Sequence, residues 1–143
     1  MYLDERLHSE IVKLSDEGNA LCDTKEYQRA KDKFILALDL VPNPKTDWEA
    51  ATWLYVALGD VSFLLQSFDE AKDYMFDALN CPDSLDNPFI MLRLGQSLFE
   101  IGEDMDRAKD FLMKAYMLGG NDIFDGEDEK YFEMIRDIAE GVR

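Results

Sequence analysis

The sequence predicts an all-α chain of stacked helix–turn–helix units, a helical solenoid, and three observations carry that prediction. One internal pattern recurs at a period of roughly 34 residues: Gly18 leads to Ala30, Phe34 and Ala37, Gly59 to Ala71, Met75 and Ala78, and Gly95 to Ala108, Leu112 and Ala115. Pro42 and Pro82 stand where second helices should end, because proline cannot continue a helix beyond its first turn. The 143 residues are one domain's worth, enough to bury roughly 70% of the unfolded surface without disulfides or metal.

The first unit, 11–44, sets out Leu14, Gly18, Leu21, Tyr27, Ala30, Phe34, Ala37 and Pro42. The second, 52–85, keeps Tyr55, Leu58, Gly59, Phe68, Ala71, Met75, Ala78 and Pro82, with Ser62 in place of a large residue. The third, about 88–122, keeps Met91, Leu94, Gly95, Leu98, Ala108, Leu112 and Ala115; it has one extra residue in the turn around Gly102, and Gly120 in place of proline. This order of large, small and aromatic positions resembles the tetratricopeptide repeat (TPR). The resemblance implies a right-handed α-solenoid of three units spanning 1–143, closed by a capping helix over about 127–140, whose business is binding other proteins. Small residues belong at Gly18, Gly59, Gly95, Ala30, Ala71 and Ala108 because the distance between packed helices follows side-chain size at the contact.

Seven helices are expected: Leu3 to Cys22, Glu26 to Leu40, Asp47 to Leu65, Phe68 to Leu79, Asn87 to Ile101, Met105 to Leu118 and Glu127 to Glu140. Asp47 is a candidate N-cap, and Asp125-Gly126 signals a turn before the last helix. That helix should place Tyr131, Ile135 and Ile138 on one apolar stripe facing the last repeat. No apolar run approaches the roughly 18 residues of a membrane span. Met1 to Glu10 lacks a positive or apolar leader, so the expectation is a soluble, cytoplasmic protein.

With 31 acids against 15 bases the net charge is −16. Such a chain repels nucleic acid and anionic membranes and attracts a basic protein through electrostatic steering. Most of the acids read as a solvated exterior. The densest run, Asp122, Asp125, Glu127, Asp128 and Glu129, lacks calcium-loop spacing: counting from Asn121 puts Ile123 and Phe132 where oxygen ligands are needed. His8 is the only histidine, and Cys22 and Cys81 fall in different units and read as reduced, mostly buried thiols. The chain has no Cys-x-x-Cys, phosphate loop, His-Glu-x-x-His or Gly-x-Ser-x-Gly. No enzyme, cofactor or metal is expected.

In TPR proteins the first helix of each unit lines an inner groove. Carrying that offset over from each glycine gives rows of Val12, Trp53 and Phe89; Ser15, Val56 and Leu92; Asn19, Asp60 and Gln96; then Cys22, Phe63 and Phe99, and Asp23, Leu64 and Glu100. Large apolar residues mixed with a polar stripe suit a peptide or loop receptor, with Trp53 the leading contact. Alternatively, part of this surface is core, covered by the first helix or the last. TPR co-chaperones that grip acidic chaperone termini use lysines, asparagines and an arginine in this groove; here Asn19 and Arg93 match, but Ser15 and Phe89 replace the lysines, which argues against an acidic ligand.

Finally, Asp47-Trp48-Glu49-Ala50, Asn80-Cys81-Pro82-Asp83, the stretch Asn87-Pro88-Phe89-Ile90-Met91-Leu92-Arg93-Leu94-Gly95-Gln96, Ala115-Tyr116-Met117-Leu118 and Tyr131-Phe132 resemble short bacterial TPR proteins found beside polymorphic toxin genes. That resemblance implies an immunity protein that neutralises a basic toxin domain by binding it. A second resemblance is to small, acidic secretion chaperones of three repeats, which hold an extended segment of a partner. A homo-oligomeric or general adaptor is the remaining expectation.

Overall fold

The computed structural model describes residues 3–141; the outermost residues of the expected span 1–143 lie outside the described residues. Its helices are α1 (Glu5–Asp23), α2 (Tyr27–Leu40), α3 (Glu49–Leu64), α4 (Phe68–Leu79), α5 (Pro88–Ile101), α6 (Met105–Gly119), α7 (Glu129–Glu133) and α8 (Arg136–Ala139). Short 3-10 turns occupy Lys45–Asp47 and Asn121–Phe124. Among the described residues there is no strand, and no helix is long and apolar enough to cross a membrane. Helices pack in chain order, α1 on α2, α2 on α3 and so on to α6, and α3 also touches α5. This is an all-α solenoid in which most helix contacts run between near neighbours.

Its regularity comes from the recurring glycines. A Cβ added at Gly18 would lie 2.6 Å from the Phe34 ring, at Gly59 2.8 Å from Met75 Cε, and at Gly95 2.7 Å from Leu112 Cγ. Each glycine is therefore the socket for the large residue of its own second helix, and Phe34, Met75 and Leu112 are almost wholly buried there. Ala30, Ala37, Ala71, Ala78, Ala108 and Ala115 have no exposed surface, so these small positions of the repeat pattern carry helix packing. Lys31 adds a tie across units, its ammonium paired with Glu70 of α4.

The buried side chains form two clusters. One joins α1, α2 and α3 around Ile11, Phe34, Leu54 and Leu58. The other joins α4, α5, α6 and the C-terminal segment around Met75, Leu94, Leu112, Tyr131 and Ile135. Tyr55 packs against both.

The turns inside the units share one device. Lys25, Gln66 and Gly102 fall at the same interval after their glycines, and all three have left-handed backbones, with φ of 61°, 63° and 79°. Only one of them is glycine, the residue that adopts this region without a Cβ clash. The extra residue of the third unit follows Gly102 as exposed sequence, and Asp104 then caps α6 by accepting from Arg107 N at 3.1 Å.

Three expectations need correction. Asp47 is not the N-cap of α3: it closes the 3-10 turn, and Trp48 takes the cap position without a side-chain cap bond. The single helix expected over 127–140 is instead two short ones, broken at Met134 and Ile135. Ile135 is drawn fully into the core there, whereas Ile138, expected on the same stripe, stays 51% exposed.

The glycine sockets rank in a testable order. Leu112 presents its backbone nitrogen 3.0 Å from the added Cβ at Gly95, while Met75 meets Gly59 with a flexible thioether chain. Gly95→Ala should cost about 1–3 kcal/mol by overpacking, and Gly59→Ala should come close to neutral, since alanine's helix propensity returns about 1 kcal/mol. Denaturant unfolding of both variants checks this, and equal costs would contradict the packing account.

Candidate functional site: a half-closed concave face

The expected groove lies along α1, α3 and α5, but its two ends differ. Toward α1, Asn19 and Trp53 are exposed, the latter 37% exposed, and Val12 and Val56 are half-buried. Ser15, placed in this row from the sequence, is buried and donates to Ile11 O at 2.8 Å, so it contributes to the helix rather than to a ligand. Toward α5 the groove is closed: Leu92, Arg93 and Gln96 are all buried, as corrections to their expected role as free contacts. Asp60, Phe63, Phe89 and Phe99 are half-buried on the border between the ends.

What closes it is the chain's own C-terminal segment, fastened through Arg93. Arg93 Nη1 donates to Glu127 Oε1 at 2.7 Å and to Gln96 Oε1 at 2.7 Å, and Nε donates to Asp60 Oδ1 at 3.0 Å. Gln96 Nε2 completes the network by donating to the same Glu127 oxygen at 2.6 Å. The guanidinium lies over two aromatic rings, 4.4 Å from the centroid of Phe63 and 4.9 Å from that of Phe89. A guanidinium this deeply buried requires its counter-charges, because an unpaired buried charge is strongly destabilising.

A second fastening lies beside it. Tyr131 packs edge-on against Phe99, touches Phe63, and donates its hydroxyl to Glu100 at 2.8 Å. Lys130 Nζ meets the same Glu100 oxygen at 2.7 Å. Burial opposes ionisation of Glu100, yet the hydrogen bonds from Lys130 and Tyr131, with the lysine charge, hold its carboxyl below the usual range. Burial and then the Glu100 bond push the Tyr131 hydroxyl far above its ordinary value, so it remains a donor. Beyond, Phe132 stacks edge-on with Tyr116 and Phe124, and Tyr116 Oη donates to Ala139 O at 3.2 Å.

Glu127, Lys130 and Tyr131 lie outside the rows that the repeat register assigns to the groove. Sequence gave only an oblique signal: the acidic run around Glu127 and the apolar stripe begun by Tyr131. The register also does not disclose a cluster at the open end, where His8, Asp47, Trp48, Glu49, Trp53 and Pro82 line a cavity of about 610 Å³. The two thiols, Cys22 and Cys81, are unpaired. Burial raises both above the ordinary value, helped at Cys22 by Asp60 and Asp23 and at Cys81 by Asp77. Among the described residues no group of acids, histidine and cysteines could hold a metal ion.

Comparison with solved structures identifies the architecture. The first TPR domain of Spaghetti (RPAP3), solved with the HSP90 peptide SRMEEVD, superposes with a TM-score of 0.70 at 16% identity, covering 99% of this chain and 98% of that one. The C-terminal TPR-containing domain of a Plasmodium falciparum protein described as FK506-binding gives a TM-score of 0.77 at 21% identity, over 98% of this chain and 95% of that one. No protein-family model and no curated protein matches the sequence. The fold is that of a TPR solenoid.

Two outcomes are expected from this geometry. Arg93→Met should lower stability by about 3 kcal/mol, the scale of breaking a buried ion pair; hydrogen exchange should quicken in 121–141 far more than in α1 and α2, and uniform quickening would contradict the fastening role. Because the carboxyl of Glu100 is held below its ordinary 4.5, its contribution is fully present above that value and is lost as pH falls through the lowered one. Exchange protection of α7 should therefore weaken in acid below about pH 4.5, and Glu100→Gln should remove that pH step.

Proposed function

We propose that this chain is a non-enzymatic protein-binding domain, that it receives a basic protein on the open, N-terminal half of its concave face, and that the partner is a cognate bacterial toxin which it neutralises. The observation that carries the reading is the division of the groove. Arg93, the one cation at a position where related folds hold acidic peptides, is enclosed by Asp60, Glu127, Phe63 and Phe89. What stays accessible is Trp53, Val12, Val56 and Asn19 on a chain of net charge −16.

The Spaghetti domain was solved with the acidic peptide SRMEEVD. An equivalent ligand here would meet carboxylates and no free guanidinium, so charge favours a basic partner instead. The closed half also shortens the groove. A secretion-type chaperone would lay an extended segment along all three units, whereas a half-length, aromatic and acidic surface suits one protruding element of a folded domain. The resemblance to toxin-neighbouring TPR proteins and the cytoplasmic site of action belong to this same proposal. A general adaptor would use the same surface but would leave its partner active.

The test is capture of the partner from source cells by the wild type beside Trp53→Ala, followed by activity assay of the recovered complex. The expected result is a one-to-one complex with an inactive toxin domain, and at least tenfold weaker capture by the variant. Recovery of an unfolded secreted segment would establish the chaperone reading, and equal capture by both proteins would move the interface off the groove.

A further inference from the structure

Two cation sites of the C-terminal half, at Arg93 and Lys130, share one construction, and the open half repeats it with a component supplied from elsewhere. Arg93 lies over Phe63 and Phe89 and is met by Asp60 and Glu127. Lys130 lies over Phe99 and Tyr131 and is met by Glu100. In each case aromatic faces and carboxylates converge on a cation, the combination that binds an ammonium or guanidinium in partly desolvated surroundings.

The register of the repeat places the same parts in the second unit. Trp53 precedes Gly59 by the interval at which Phe89 precedes Gly95, so Trp53 is the counterpart of the ring beneath Arg93. One helical turn later the third unit has Arg93, whereas the second has Ala57. The counterpart ring therefore has no cation of its own unit. Around it, Trp48 forms a second wall, Asp47 and Glu49 line the same cavity of about 610 Å³, and His8 and Pro82 complete its rim.

Among the described residues, no lysine or arginine lies over Trp48 or Trp53, and none pairs with Asp47, Glu49 or Asp83. The nearest lysine in sequence, Lys45, donates instead to Val41 O at 2.8 Å. Contact with Asp83, then the charge of Asp83, raises the Glu49 carboxyl above its ordinary range. Trp48 keeps its place although its buried Nε1 finds no acceptor.

From these observations we infer that the cavity between Trp48 and Trp53, edged by Asp47 and Glu49, is a subsite for one lysine or arginine side chain of a protein partner. The inference rests on the protein-binding reading above and specifies which side chain of the partner the open half recognises. Arginine should be preferred over lysine, because its planar guanidinium can stack on an indole while its N–H groups reach both carboxylates.

Titration of the full chain with the tripeptide Ac-Gly-Arg-Gly-NH2, followed through the indole and backbone N–H signals in NMR, tests this directly. Saturable shifts should concentrate on the indoles of Trp48 and Trp53 and the amides of 47–53. The citrulline analogue, equal in shape but uncharged, should bind at least tenfold more weakly. So should Trp53→Leu and the pair Asp47→Asn with Glu49→Gln, all at exposed positions, with unchanged unfolding midpoints showing that the fold persists. Shifts scattered over the acidic exterior, equal binding of the citrulline peptide, or undiminished binding by the variants would overturn the subsite. Failure of the tripeptide together with Trp53-dependent capture of a partner would reject the subsite and keep the protein-binding reading; tripeptide binding with no partner captured would do the reverse.

Discussion

A guanidinium taken out of water needs its counter-charge brought with it, and in this chain Arg93 imposes that requirement on everything around it. Asp60 reaches it from α3 and Glu127 from the C-terminal segment, and Gln96 ties the second of these in place. Once Glu127 is committed there, Lys130 and Tyr131 are carried against Glu100, Phe99 and Phe63. The C-terminal segment is thus more than a cover for the last repeat: it crosses onto the concave face and divides it. The part that remains accessible is a consequence of how one charge is satisfied.

The division also sorts the electrostatics. On the closed side the buried Arg93 and the more exposed Lys130 are each met by carboxylates of the same chain. The open half keeps aromatic surface and acids without that compensation, against a background of strong net negative charge. Long-range attraction and short-range recognition therefore point to the same kind of partner, because the global field gathers cations and the indole and carboxylate groups give one of them a place to stop. An acidic peptide of the sort held in the Spaghetti structure would be opposed at both distances.

How far the sequence discloses this depends on the distance over which each interaction acts. The glycine, alanine and large-residue pattern is legible because its contacts, such as Gly18 with Phe34 or Gly59 with Met75, lie within one unit and recur. The break at Met134 and Ile135 is not, since neither proline nor glycine marks it; tertiary pull on Tyr131 and Ile135 outweighs helical continuity. Nor is the fate of Arg93, whose role is set by Glu127 and Asp60, each more than 30 positions away. Trp53 as an exposed contact follows from repeat register alone, while the convergence of Trp48, His8 and Pro82 on it requires α1, α3 and the α4–α5 loop to be assembled. Asp47 misleads because the preceding 3-10 turn uses the residue that composition alone marks as a cap.

The left-handed turn residues carry a separate consequence for the chain's energetics. Lys25 and Gln66 hold a conformation that costs an L-residue roughly 1 kcal/mol relative to glycine, while Gly102 holds it freely. The geometry persists in all three copies whatever occupies it, so the turn is dictated by the helices that flank it. Strain of this size is tolerated because the buried sockets on either side hold the helix ends in register. The connections are thus a reserve of unused stability, which can be drawn on without altering either the packing of the solenoid or the face it presents.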